Sequence, residues 1–284
     1  MKIASWNVNG IRAIAKKGDL RAYFESKDAP DILAMQETKV TEEQLTSDLR
    51  TPKDFYTCYN SAEQKGYSGT AVWSKIKPRS IISGYPHPTF DHSLHNKEGR
   101  VTGVEFDTFT FFSVYFPNGG KSPEHFEYKF LFYETLFEYF ESLRKKGKSL
   151  IISGDFNIAH TPLDIARPKE NEGSIGFTVE ERKLLDKVCA RGYIDTFREF
   201  CTEGGHYSWW HYFTQSRARN VGWRIDYIFI TPELRPHLKS ARILDHVYGS
   251  DHCPVEIELT CKEDALAGTP VIHESKEPRA QTLF

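Results

Sequence analysis

The stretch "SLIISGDFN", Ser149 to Asn157, is apolar at consecutive positions, breaks at Gly154 and ends on two polar side chains, Asp155 and Asn157. A strand solvated on one face alternates apolar with polar residues, whereas a run apolar on both parities is covered on both faces. Seven further runs are β-rich: "KIASWNV" from Lys2, "DILAMQE" from Asp31, "GTAVWSK" from Gly69, "RVTGVEF" from Arg100, "FTFFSVYF" from Phe109, "RIDYIFI" from Arg224 and "CPVEIEL" from Cys253. Each is bounded by Gly, Pro, Asn or Asp, as strands are. Several are apolar on both parities, and the simplest way to cover them is an α/β architecture of two packed β-sheets with helices outside.

Helix starts are marked between these runs. Thr41 with Gln44 and Thr178 with Glu181 fit the capping box, so a helix is expected after each. Ser122-Pro123 opens another, with proline at the first helical position. Phe126, Phe130, Tyr133, Phe137 and Phe140 give it a core face at steps of three and four before Gly147 ends it. No fixed-period repeat or Pro/Gly/Ser-rich linker divides the chain, so one α/β domain is expected over residues 1–260. Residues 261–284, ending "RAQTLF", have no period and are expected to form a flexible tail.

With 284 residues, 39% of them hydrophobic, the chain can bury a large core. Its formal charge of −2 gives no global attraction for polyanions, so any nucleic-acid contact must come from a local patch. The five cysteines are scattered without a CxxC pair, which argues against a zinc site and for reduced thiols. No apolar stretch is long enough to cross a bilayer and the N-terminus lacks a signal-peptide core, so a soluble, cytoplasmic protein is expected; a monomer is the expected oligomeric state.

Polar residues cluster where apolar strands run out. Asn7 and Asn9 end the first run, Glu37 the second, and Asp155 and Asn157 end "SLIISGDFN"; Asp251-His252 precede the last run. Each Asx residue among them is explained, taken alone, as a turn former that hydrogen-bonds its own backbone. Asp226 is different, because an unpaired carboxylate inside the apolar run "RIDYIFI" costs several kcal/mol and demands a partner or a metal; His252 is the candidate. Carboxylates with carboxamides form a hard oxygen set suited to Mg²⁺, with Mn²⁺ able to substitute. Such a metal beside Asn and His donors points to phosphodiester cleavage.

"SWNVNG", "QETK", "GYSG", "VYFPNGG", "GDFNIAH", "GWRIDY" and "GSDHCPV" stand in the order found in the exonuclease III and apurinic/apyrimidinic (AP) endonuclease family, of the DNase-like endonuclease/exonuclease/phosphatase superfamily. The chain resembles that family over residues 1 to about 260. The resemblance implies a four-layer α/β sandwich and a Mg²⁺-dependent nuclease that cuts duplex DNA 5′ to abasic sites, with 3′-to-5′ exonuclease and 3′-end-cleaning activity. It further implies that Glu37, Asp251 and Asn9 serve the metal, that Asn7 and Asn157 orient phosphate and water, and that Tyr115 sits beside the scissile phosphate. Asp155 corresponds to the aspartate that activates water, and His252 with Asp226 to the His-Asp pair. A carboxylate on one ring nitrogen favours a charged His252, which leaves Asp155 as the base; a neutral His252 acting as base is the competing role.

The run "YSWWHYFTQSRARNVGWR", Tyr207 to Arg224, interleaves aromatics with Arg217, Arg219 and Arg224, a composition that supplies phosphate contacts and apolar wedges. In the family pattern Trp209, Phe213 and Trp223 line the abasic sugar pocket, and Arg12, Lys17, Tyr67 and Lys121 lie on loops that touch DNA. Asn9 departs from the aspartate of animal members, and Lys121 stands where some relatives carry arginine. The tail's Gln281-Thr-Leu-Phe284 loosely resembles peptides that dock on DNA sliding clamps. The alternatives are a same-fold phosphodiesterase or phosphatase acting on a substrate other than nucleic acid, and a DNA-binding protein that has lost catalysis.

Overall fold

All eight runs read as strands are strands, and together they form the interior of two six-stranded sheets. The computed structural model describes residues 1–86, 96–212 and 215–260; Phe213 and the segment 261–284, with its clamp-like peptide, lie outside the described residues. The first sheet contains β1 (Lys2–Asn7), β2 (Ile32–Gln36), β3 (Tyr56–Asn60), β4 (Thr70–Ser74), β11 (Leu238–Ile243) and β12 (Val255–Leu259). The second contains β5 (Ser80–Ser83), β6 (Val101–Glu105), β7 (Thr110–Tyr115), β8 (Leu150–Asp155), β9 (Ile194–Asp195) and β10 (Asp226–Ile230). Strand orders are β11-β12-β1-β2-β4-β3 and β5-β6-β7-β8-β10-β9. Both sheets are mixed, with one parallel pair at the centre of each, β1 with β2 and β7 with β8.

The opening stretch shows why two faces are buried. Ile151 of β8 points into the core between the sheets, with Ile3, Ile32, Phe111, Ile228 and Ile257. Its neighbours Leu150 and Ile152 point the other way, into a core shared with the outer helices α4 (Pro123–Lys145) and α5 (Val179–Ala190). On the far side, Trp6, Leu33, Met35 and Trp73 of the first sheet pack against α1 (Ile11–Lys17), α2 (Asp19–Phe24) and α3 (Ser47–Arg50). Helices, sheet, sheet, helices make the expected four-layer sandwich.

Helix α4 begins as expected, with Ser122 Oγ accepting the His125 N–H at 3.3 Å, and its Tyr133, Phe137 and Phe140 are buried. The capping box at Thr178 opens α5. The one at Thr41 is formed too, but it caps only a single 3₁₀ turn, Glu42–Gln44, because the chain is extended again at Leu45. Arg224 is withdrawn from any ligand: its side chain is 1% exposed, with Nε donating to Asp164 at 2.7 Å and Nη2 to Asp195 at 2.7 Å. Arg198 also donates to Asp164.

Burial alone raises the Asp164 carboxyl, but Arg224 and Arg198 bring it down to about 2. Its folded-state value lies below the unfolded one of 3.8, so its stabilisation, about 2 kcal/mol, is complete above that pH and drains away as pH falls toward 2. Asp164→Asn, which removes the buried carboxylate shared by two guanidinium groups, is expected to cost about 3 kcal/mol in urea unfolding and to flatten this acid limb. A loss below about 1 kcal/mol with the limb intact would move the acid sensitivity to another group.

Candidate active site

Topology brings the singled-out residues to one end of the sandwich. The parallel pairs β1/β2 and β7/β8 finish there, and the antiparallel strands β10 and β12 start there. Tyr115 of β7 lies opposite Asp155 of β8, and Asp155 opposite Asp226 of β10, so three site residues share one register line. Gly154 permits that line. A Cβ there would stand 1.8 Å from the carbonyl oxygen of Val114 and force β7 away from β8. Just past the strand ends, Asn9, Glu37 and Asn157 adopt left-handed backbone at φ 45°, 51° and 53°. Non-glycine residues take that conformation when surrounding contacts over-determine it, a pattern concentrated at functional sites.

The first sheet supplies Asn7, Asn9, Glu37, Asp251 and His252, and the second supplies Tyr115, Asp155, Asn157 and Asp226. Asn7 joins them: its Nδ2 donates to Glu37 Oε1 and to Asp155 Oδ2, both at 2.9 Å, and its Oδ1 accepts the Asn9 N–H at 3.0 Å. Asp155 Oδ1 accepts the Asn157 N–H at 2.9 Å. The Asn157 side chain is tied at both ends, Nδ2 donating to Phe116 O and Oδ1 accepting from Asn118 Nδ2, each at 2.9 Å. Buried Asp226 has the partner its position demanded: its Oδ2 meets His252 Nδ1 at 2.8 Å and accepts from Ser208 Oγ at 2.6 Å. The other face of the imidazole, Nε2, lies 3.9 Å from Asp155 Oδ2.

Charges in this cluster are set by one another. Burial pulls His252 down, but Asp226, Asp155 and Asp251 outweigh it and raise the imidazole to about 10. Asp155 moves the opposite way from an ordinary carboxylate, because burial lifts it to about 7 against the opposing charge of His252. Burial also opposes ionisation of Asp251, yet the His252 charge and N–H donors from Asn9 and Trp209 hold its carboxyl below the usual value. Tyr115 is pushed well up by burial and by Glu37, with Arg100 over its ring at 4.9 Å countering.

Two groups of donors suit a cation to different degrees. Ligand atoms of Asp155, Asp226 and His252 lie within 4.8 Å of one another, an acidic cluster able to hold a metal ion. Its histidine is committed to Asp226 and charged, which makes it a poor ligand. Glu37, Asn9 and Asp251 fit better, because a cation already stands among them. The Lys39 ammonium lies 2.8 Å from Glu37 Oε2 and donates to Asn9 Oδ1, while Asn9 Nδ2 donates to Asp251 Oδ1 at 2.9 Å. These are hard oxygen donors.

A cavity of about 400 Å³ opens on the cluster, lined by Glu37, Tyr115, Asp155, Asn157 and His252 together with Trp209, Trp223 and Ile225. Trp209 and Trp223 meet edge to face at 6.1 Å, and Trp209 Nε1 donates to Asp251 Oδ2 at 3.1 Å. A second groove of about 500 Å³ runs from Asn9 and Asp251 past Lys17 toward Tyr212 and Arg217. Arg12, Lys17 and Lys121 are exposed, Lys121 standing 5.7 Å from the Tyr67 ring. Tyr67 OH accepts from Arg100 at 2.7 Å. Arg217 donates within the chain, to the carbonyls of Asp245 and Val247, and packs between Trp210 and Tyr248. Sequence reading passed over Lys39, Asn118, Ser208 and Ser250. Three of these lie inside quoted motifs, "QETK", "VYFPNGG" and "GSDHCPV", but only packing shows what they touch.

The chain belongs to the Endonuclease/Exonuclease/phosphatase family, whose model matches residues 4–252. Within that breadth its relatives are narrower. It is 41% identical to an exodeoxyribonuclease of Bacillus subtilis (strain 168) over 90% of this chain and 98% of that one. It is 36% identical to a DNA-(apurinic or apyrimidinic site) endonuclease of Dictyostelium discoideum over 90% of this chain and 70% of that one. A solved 3′-5′ exonuclease from Neisseria meningitidis superposes with a TM-score of 0.82 at 28% identity, covering 91% of this chain and 99% of its own. The family resemblance read from seven motifs is borne out.

Removing the charge of Asp226 tests the electrostatic account. In Asp226→Asn the His252 imidazole should titrate roughly one to three pH units lower, followed by NMR of the ring protons. An unchanged midpoint would mean that Asp155 and Asp251 alone keep the ring charged.

Proposed function

We propose that the chain is a Mg²⁺-dependent DNA repair nuclease that hydrolyses the phosphodiester 5′ to abasic sites in duplex DNA, with 3′-to-5′ exonuclease and 3′-end-cleaning activity. The observation that carries this reading is that Asp155 and His252 line one cavity together with Trp209, Trp223 and Ile225. An extruded abasic sugar has an apolar surface and no base, and flipping it is cheap because there is no base to unstack. The names of the relatives support the same substrate class.

Asp155, buried and titrating near neutrality, takes the proton of a water that attacks phosphorus. His252, kept charged by Asp226, places Nε2 against a phosphoryl oxygen and offsets the charge that grows there. Asn7 and the Asn157 N–H hold the two oxygens of Asp155 in place. Tyr115 lines the phosphate side of the cavity. The bond from phosphorus to the upstream 3′ oxygen breaks, and that oxygen takes up a proton from solvent to leave as a 3′ hydroxyl, with the phosphate remaining on the 5′ side of the abasic residue. A metal held by Glu37, Asp251 and Asn9 would supply Lewis-acid charge to the phosphate and its leaving oxygen. Arg12, Lys17, Tyr67 and Lys121 carry the duplex along the outside of the cavity. The reading places the chain in the cytoplasm at the nucleoid, or in the nucleus if its source is eukaryotic.

One gel tests the reading: labelled duplexes with an abasic analogue, a recessed 3′ end or no lesion, each with and without Mg²⁺. Incision at the analogue that requires Mg²⁺ is expected; cleavage of a soluble phospholipid headgroup and none of the DNA would overturn it. His252→Asn and Asp155→Asn should each lower turnover by about three orders of magnitude, as removal of a catalytic acid–base group does. Lys121→Ala should reduce the salt slope of DNA binding by about one phosphate contact.

A further inference from the structure

Behind the cavity, unused by any of these steps, lies an ion pair in which both side chains are 0% exposed: Lys129 of α4 and Glu181 of α5. Desolvating two charges costs several kcal/mol, and well-packed apolar residues often stabilise as well or better, so stability alone does not account for it. Its contacts are more specific. The three N–H groups of the Lys129 ammonium meet three acceptors, the Glu181 carboxylate, the Asn157 carbonyl at 2.9 Å and the Asn118 carbonyl at 3.3 Å. These two asparagines are the ones whose side-chain amides hydrogen-bond each other on the cavity wall. The second Glu181 oxygen accepts the Gly176 N–H at 2.7 Å and Thr178 Oγ1 at 2.9 Å. At Gly176 the loop passes so close beneath Trp223 that a Cβ would stand 3.0 Å from the indole and 3.2 Å from the Asn157 carbonyl oxygen.

We propose that the Lys129–Glu181 pair is a positioning element for the hydrolysis, holding the Asn118–Asn157 amide pair and the loop under Trp223 in their working places. This inference rests on the nuclease reading above. Asn157 sits at φ 53°, a conformation that needs outside support, and Lys129 grips its carbonyl while its N–H points at Asp155. Removing the ammonium frees two loops at once. A displacement of about 1 Å at a reacting group can cost about 100-fold in rate.

The test uses the full chain and an abasic-analogue duplex with Mg²⁺. In Lys129→Met, kcat should fall about 10- to 100-fold while KM stays within about 3-fold, with the thermal midpoint recorded alongside. In an Asn157→Ala background the same substitution should cost less than about 3-fold, because the amide pair it positions is already gone. An unchanged kcat in folded Lys129→Met, or effects that multiply with Asn157→Ala, would overturn the proposal and leave the pair a structural strut. Should Lys129→Met fail to fold, Glu181→Gln keeps an acceptor for the cap and carries the same test, with about a 10-fold loss of kcat expected and none overturning the proposal. If the unaltered chain does not cut the duplex, the nuclease reading fails, and this inference with it.

Discussion

Everything at the site depends on one carboxamide that spans two sheets. Asn7 is fully buried, and its Nδ2 sends one N–H to Glu37 within its own sheet and the other to Asp155 across the gap. The Glu37 side and the Asp155 side of the site are carried by different layers, so their separation is set by how those layers pack. Apolar packing is close but non-directional. A hydrogen bond fixes distance and angle. A polar seam below Asn7 repeats the device: Gln36 Nε2 donates to Ser113 Oγ at 3.0 Å, and Ser113 Oγ donates to Met35 O at 3.1 Å, again between the sheets.

The stretch "GSDHCPV" gains its meaning from the same seam. Ser250 Oγ donates to the Asn7 carbonyl at 2.8 Å, which ties the loop to β1. Asp251 then faces Asn9 and Trp209, while His252 turns to Asp226 on the opposite sheet. Two adjacent residues thus serve two different charges, and the acidic neighbour of the histidine is not its partner.

What the sequence made legible follows a physical boundary. The eight strands found by reading, "SLIISGDFN" among them, are the interior strands of the two sheets. The four missed, β3, β5, β9 and β11, are the four edges. An edge is half exposed and carries polar residues, as in "SIIS" of β5 and "LKSARI" of β11, so the double-faced apolar signature is absent there. Helices α1 and α2 were missed because each is short and a left-handed glycine, Gly18 at φ 85°, separates them. At the site, Asp226 was legible because a lone carboxylate in an apolar run is costly. Lys129 was hidden inside an aromatic helix stripe, where nothing local distinguishes a buried lysine from a solvated one. Arg224 misled for the converse reason, since an arginine near aromatics reads as a DNA contact until its two aspartates are seen.

Lys39 gives the acidic pocket a character of its own. Its ammonium lies between Glu37 and Asn9, so the carboxylate there is neutralised by the chain itself. In many small metalloproteins the ion is a folding ligand, and stripping it unfolds the chain because bare like charges cannot share a pocket. Here the chain supplies the counter-ion itself: Lys39 gives the Glu37 carboxylate a positive partner within the fold, so this pocket does not leave that charge bare.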